Sequence, residues 1–258
     1  MLMRQARAAL TLACTPRTMP CREEERGKVS KFLRDSVASG DDCLGRCLYI
    51  YGVPGTGKTA TVLEVVRQLY DEVATGELPC FQFVEVNGLR LPSPGHAYTA
   101  LWEALTGSHA SPSRAADLLE NYFSSSQRTR QVTVLLVDEL DLLVTRNQSV
   151  LYNLFDWPTR KHSRLVVVGI ANTMDLPERL LPRINSRLGL HRVNFQPYAQ
   201  EQLQQIIKAR LSGLAAFKDK AVELASRKVA AVSGDVRRAL ELYASCHAAP
   251  SALNHGGY

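Results

Sequence analysis

Short apolar runs alternating with stretches of helical periodicity organise roughly the first 195 residues of this chain. Cys47–Tyr51, Phe81–Asn87, Val132–Val137, Leu165–Ile170 and Leu190–Phe195 read as strands, because these short runs are rich in Val, Ile, Leu and aromatic residues. Helices are predicted between them, near 58–74, 96–107, 114–124, 147–156 and 176–185. Strand–helix alternation argues for an α/β fold: a five-stranded parallel sheet with helices on both faces. The near-continuous runs VTVLLV and RLVVVGIA suit strands buried on both sides. After Pro197 the pattern becomes helical only, near 199–212, 217–232 and 234–247, with Leu203, Ile206, Ile207 and Leu211 on one face. The expected organisation is an N-terminal segment 1–15, an α/β base 16–195, a small all-α lid 196–247 and a flexible tail 248–258.

Composition narrows the class. Hydrophobic content of 45% with 22% charged residues suits a soluble globular protein, and no apolar run approaches the ~20 residues that span a bilayer. Arg4 and Arg7 precede an apolar stretch, Ala8–Ala13, too short for a secretory signal. A soluble intracellular protein is the expectation. The six cysteines, at 14, 21, 43, 47, 80 and 246, include no CxxC pair. Cys43 and Cys47 lack a second pair at zinc-like spacing, so reduced, packed thiols are expected. The net charge of +6 is uneven: +5 over 1–34, −2 over 35–195 and +3 over 196–258. Basic ends fit contact with a polyanion and fit solvated helix faces equally well.

The chemistry is more specific. Gly52-Val53-Pro54-Gly55-Thr56-Gly57-Lys58-Thr59 matches G-x-x-x-x-G-K-[ST], follows a predicted strand and opens a predicted helix. In that setting the glycines turn backbone N–H groups toward phosphate oxygens. Lys58 reaches the β- and γ-phosphates, and the Thr59 hydroxyl ligates Mg²⁺. The run Val132–Val137 ends in Asp138 and Glu139. At a strand's C-terminal end, beside a phosphate loop, Asp138 is placed to hold the Mg²⁺ hydration shell and Glu139 to activate the attacking water. Asn172, after the next buried run, suits either a γ-phosphate contact or an ordinary loop start. Arg183 and Arg187, before the last strand, and Arg237-Arg238, after Gly234-Asp235, suit either phosphate recognition or helix-end charges.

These motifs together resemble the initiator clade of AAA+ ATPases: Gly52–Thr59, Asp138-Glu-Leu-Asp141, Ile170-Ala-Asn172 through Arg179, Ser186-Arg187-Leu-Gly and Ser233-Gly-Asp-Val-Arg237. Within that clade, Leu151-Tyr-Asn-Leu-Phe-Asp-Trp-Pro158 and Pro20-Cys-Arg-Glu-Glu-Glu25 look most like the ATPase core of the largest subunit of the eukaryotic origin recognition complex. The resemblance runs from about residue 9 to 246. It implies a P-loop AAA+ fold, an ATP and Mg²⁺ cofactor pair, and slow ATP hydrolysis completed by a partner's arginine. It also implies nuclear work in a hetero-oligomeric ring with other origin recognition subunits and a Cdc6-type loader, on duplex DNA contacted mainly through phosphates. Asn172 then corresponds to sensor 1, Arg237 to sensor 2, and Arg187 to the arginine finger, with Arg183 a second candidate. Residues 16–22 align with the part near the adenine, and 87–107 with an extra helix facing DNA, where Arg90 stands out. The family usually continues into a winged-helix domain and often carries a chromatin-reading domain; the sequence holds neither, so DNA binding by this chain alone is not expected. A Cdc6-type loader and a non-hydrolysing, ATP-bound structural subunit are the alternatives.

Overall fold

In a computed structural model, the structure describes residues 20–40, 46–125, 130–188, 191–210 and 219–245. The segments 1–15 and 248–258, residues 16–19 of the adenine-side segment, and Cys14, Cys43 and Cys246 lie outside the described residues. The chain divides into two compact units. One holds residues 24–52 and 62–195; the other holds residues 53–61 together with 196 onward and the residues before 24.

The larger unit is built on a parallel sheet of β1 (Cys47–Tyr51), β2 (Phe81–Asn87), β3 (Val132–Asp138), β4 (Leu165–Ala171) and β5 (Arg192–Asn194). Their order is β2-β3-β4-β1-β5. All seven residues of β3 and of β4 are buried, as inner strands covered on both faces must be. Strand alternation sorts their side chains into two cores. Leu135, Val137, Leu165 and Val167 face one way with Tyr49 and Val86. Val134, Leu136, Val166 and Val168 face the other way with Leu48 and Ile50.

The second face is covered by α1 (Glu23–Ala38) and α2 (Lys58–Thr75), through Val29, Phe32, Leu33, Val37, Val62, Val65 and Leu69. The first is covered by α3 (His96–Thr106), α4 (Pro112–Ser124), α5 (Ser149–Asp156), α6 (Leu176–Arg179) and α7 (Pro182–Leu188). Each fully buried aliphatic side chain contributes about 1.5–3 kcal/mol, so truncating Leu33 in α1 costs about 2–5 kcal/mol.

Several boundaries differ from expectation. No helix was expected before residue 47, yet α1 occupies Glu23–Ala38. The helix expected over 176–185 is two, because Pro182 lacks an N–H and disfavours helical geometry at Leu181. The strand expected over 190–195 is regular only over Arg192–Asn194, and residue 190 is outside the described residues.

The smaller unit contains α8 (Gln200–Arg210), α9 (Asp219–Val232) and α10 (Val236–Ser245). They enclose their own core of Tyr198, Leu203, Ile206, Ile207, Val222, Val229, Ala239 and Leu240. Residues 211–212, 217–218 and 246–247, expected at the ends of these helices, are outside the described residues. No helix among the described residues is long and apolar enough to cross a membrane.

Candidate functional site

In the sheet-bearing unit the helix after β1 covers one face, and the helices after β2, β3 and β4 pack on the other. Such a reversal opens a crevice outside the carboxyl ends of the strands, where open α/β sheets bind ligands. At that edge β3 ends on Asp138, β4 leads into Asn172, and β1 leads into Gly52. Asp138 is 7% exposed, and its Oδ1 accepts the Glu139 N–H at 2.9 Å. Glu139 adopts a left-handed conformation (φ 54°), which is uncommon for a non-glycine residue and typical of sites where a side chain is aimed for function.

Asn172 Nδ2 donates to Glu139 Oε2 at 2.6 Å, so two candidates 33 positions apart meet directly. Asn172 is held from behind as well. Its backbone N–H donates to Asp141 Oδ2 at 2.8 Å, and the Thr173 hydroxyl donates to Asp141 Oδ1 at 2.9 Å. The buried Tyr49 hydroxyl donates to the Thr173 carbonyl at 2.6 Å. Burial, reinforced by the Asp141 charge, raises the Tyr49 pKa and keeps this donor protonated. Sequence reasoning assigned Asp141 no role; its signal was an acid three residues beyond Asp138.

The phosphate-loop candidate belongs to the other unit. The Thr56 hydroxyl donates to the Val53 carbonyl at 2.9 Å, and Lys58 Nζ donates to the same carbonyl at 3.1 Å. Gly55 has φ +75°, and a Cβ there would lie 1.6 Å from Asp235 Oδ1, so only glycine fits. Asp235 Oδ1 also accepts the Arg237 N–H at 2.8 Å, placing the start of α10 against the loop, while the Arg237 side chain is exposed. Arg22 Nε donates to the Thr56 carbonyl at 3.1 Å, and its guanidinium stacks 4.0 Å from the centre of the Tyr198 ring. Arg22 is thus a support of the loop that spacing alone did not reveal.

The two finger candidates differ. Arg187 forms an ion pair with Asp156 at 2.7 Å. Arg183 is exposed, with its guanidinium 4.5 Å from the centre of the Tyr152 ring. Arg90 lies exposed in the turn after β2, beside Leu89, which is also exposed. Cys21, Cys47 and Cys80 are not in disulfides, and no cluster of three or more His, Cys, Asp or Glu residues fit to hold a metal occurs among the described residues.

Residues 48–192 match the model of the ATPase family associated with various cellular activities (AAA), and residues 193–251 match an AAA lid domain. The chain belongs to the AAA family of ATPases. Membership in that family implies nucleotide binding. Among curated proteins the chain is similar to origin of replication complex subunit 1 of Oryza sativa subsp. japonica, 54% identical over 244 residues. That match covers 93% of this chain and 30% of the relative. Origin recognition complex subunit 1 of Homo sapiens is 50% identical, covering 93% of this chain and 28% of the relative. The chain therefore spans under a third of the length of these relatives. Among solved structures, Drosophila ORC bound to DNA superposes with a TM-score of 0.86 at 48% identity, covering 95% of this chain and 59% of that one.

Proposed function

We propose that this AAA ATPase is the ATP-hydrolysing segment of the largest subunit of an origin recognition complex. In this reading its nucleotide state controls assembly on duplex DNA and helicase loading in the nucleus. The observation that carries the proposal is the Asn172–Glu139 hydrogen bond of 2.6 Å at the carboxyl end of the sheet. It ties the residue expected to activate water to the residue expected to sense the γ-phosphate. The relatives' names supply the complex, and the Drosophila assembly supplies DNA as the polymer.

In this reading residues 16–195 form the base and 196–247 the lid. Backbone N–H groups of Gly52–Thr59 cradle the phosphates, and Lys58 neutralises the β- and γ-oxygens. The Thr59 hydroxyl and the Asp138 carboxylate are the oxygen donors that would hold Mg²⁺, a hard cation that takes oxygen ligands. When bound, the ion supplies charge stabilisation to the phosphoryl group being transferred. One oxygen of Glu139 is held by Asn172, and the other takes the proton of the attacking water. Arg237 closes on the γ-phosphate from the lid.

A neighbour's ATP needs an arginine from this chain. Arg187 is engaged by Asp156, whereas Arg183 projects from an exposed position, which favours Arg183 for that task. A site completed by another subunit predicts slow turnover by the chain alone, since an arginine supplied in trans is worth about 10³–10⁵ in rate where measured in other NTPases.

The test is ATP turnover by the purified chain, alone and with the other origin recognition subunits. Lys58→Ala is expected to abolish nucleotide binding, and Glu139→Gln to retain ATP while blocking hydrolysis. Tight ATP binding with no partner-dependent rise in turnover would instead establish a structural nucleotide. Unchanged turnover in Glu139→Gln would remove Glu139 from its role.

A further inference from the structure

The sheet ends on β5, bonded to β1 along one side. Tyr49 N–H donates to the His191 carbonyl at 2.9 Å, and Phe195 N–H donates to the Tyr51 carbonyl at 2.8 Å. Parallel pairing engages alternate residues, so the N–H and C=O groups of Arg192 and Asn194 point away from β1. No further strand joins that side among the described residues.

Beside this edge, between it and α1, lies a concavity of 410 Å³. Its rim carries Lys28, Lys31, Arg46 and Arg192 against a single lining acid, Asp35. Lys28, Lys31 and Asp35 recur at helical spacing on the exposed face of α1, opposite the side that buries Val29, Leu33 and Val37. Lys28 pairs with Glu24 at 2.6 Å and Arg192 with Glu178 at 2.9 Å, both exposed pairs that exchange partners at little cost. Arg46 donates to the Ser39 hydroxyl at 3.3 Å, a neutral partner. The apolar floor is closed: Phe32, Leu48 and Val193 are 7%, 2% and 5% exposed.

We propose that this groove docks an acidic, extended segment of a partner polypeptide. The segment adds to the open edge of β5 at Arg192 and Asn194, and its acidic side chains lie among Lys28, Lys31, Arg46 and Arg192. An unpaired sheet edge recruits extended backbone, which supplies the affinity. The cationic rim supplies charge selection. A buried Phe32 offers no face for base stacking. A cavity of this volume matches a small ligand or a few side chains rather than a duplex, and Asp35 and Glu178 interrupt the even cationic track a phosphate backbone needs. The inference rests on α1 and β5 and is independent of the nucleotide reading.

The probe is a fluorescein-labelled peptide of four Glu-Val repeats, titrated with the chain and followed by anisotropy at several salt concentrations. The expected result is saturable binding that weakens with salt. It should be at least tenfold weaker with Lys28→Glu/Lys31→Glu, and lost when a central valine of the peptide becomes proline, which removes a backbone donor. Unchanged ATP-analogue affinity in the same double variant certifies its folding. Equal binding of Lys-Val repeats, indifference to the double variant, or no binding at all would overturn the proposal. So would capture of duplex DNA, weakened by the double variant, without capture of the peptide; that outcome makes the groove a nucleic-acid contact.

Discussion

Asp141 accepts two hydrogen bonds, from the Asn172 N–H at 2.8 Å and the Thr173 hydroxyl at 2.9 Å, and replacing it with alanine removes both. Hydrogen bonds to charged groups contribute about 1.5–3 kcal/mol each. Asp141 is half-buried, so the low end applies, and Asp141→Ala costs about 3 kcal/mol. One kcal/mol moves Tm by roughly 2–4 °C in a chain of this size, giving a fall of about 6–12 °C. Asp141→Asn is gentler: its Oδ1 still accepts from Asn172, while its Nδ2 donates to the Thr173 oxygen, which reverses role. Two neutral bonds at about 1 kcal/mol each leave a deficit of about 1 kcal/mol, or roughly 2–4 °C. The alanine variant also frees the backbone that aims Asn172 at Glu139; a loss of about 1.4 kcal/mol at the transition state lowers kcat about tenfold. Nucleotide affinity stays within about twofold, because residues 52–59 are unaltered. Thermal melts, phosphate release and ATP-analogue titration check the three numbers. Equal Tm for Asp141→Ala and the parent, or an Asp141→Asn variant as damaged as Asp141→Ala, would refute the two-acceptor account. A lower Tm with unchanged kcat would confine Asp141 to stability.

Gly55→Ala meets a strained φ and the Asp235 carboxylate together, so nucleotide binding should be lost; adding Asp235→Ala relieves the overlap and should recover part of it, read by fluorescent-nucleotide titration. Burial pushes the Tyr98 pKa up to about 12, from about 10 in an unfolded chain. Its contribution is complete below pH 10 and is lost as pH rises through 12, so Tyr98→Phe should flatten the alkaline limb of stability while costing about 1 kcal/mol at neutral pH. Arg187→Ala breaks the pair with Asp156 and should lower Tm by roughly 2–4 °C, for a pair worth about 1 kcal/mol, whereas Arg183→Ala should leave Tm within about 1 °C. Melting curves of the two variants decide this.

The inner strands were legible because a strand buried on both faces is apolar almost throughout, as Leu165–Ile170 is and Val132–Val137 is apart from Thr133. β5 was overextended because Phe195 continues its exposed, buried, exposed alternation, while His191 and Phe195 each keep only one hydrogen bond to β1 and lie outside the regular strand. α1 carries Val29, Phe32, Leu33 and Val37 at helical spacing but opens on three glutamates with no strand predicted before it, so strand–helix alternation did not point to it. The Pro182 break was written in the sequence as the one residue that cannot donate the next helical bond.

The candidate site divides by the same logic. Gly52–Thr59 is contiguous, and the glycines, lysine and threonine of such a loop each serve a local geometric need, so spacing alone nominates it. Asn172 was ambiguous because its meaning depends on Glu139, just past the end of the neighbouring strand, and the β3–β4 register brings the two within 2.6 Å. Asp235 was less visible still. Its carboxylate lies where any side chain at position 55 would stand, which makes a glycine of the loop depend on an aspartate at the start of the last helix. Such a dependence carries no local signature. It follows that the loop and α10 constrain one another: a substitution at 55 or at 235 tests one contact from two sides, and the paired variant recovers function only if that contact is what the glycine serves.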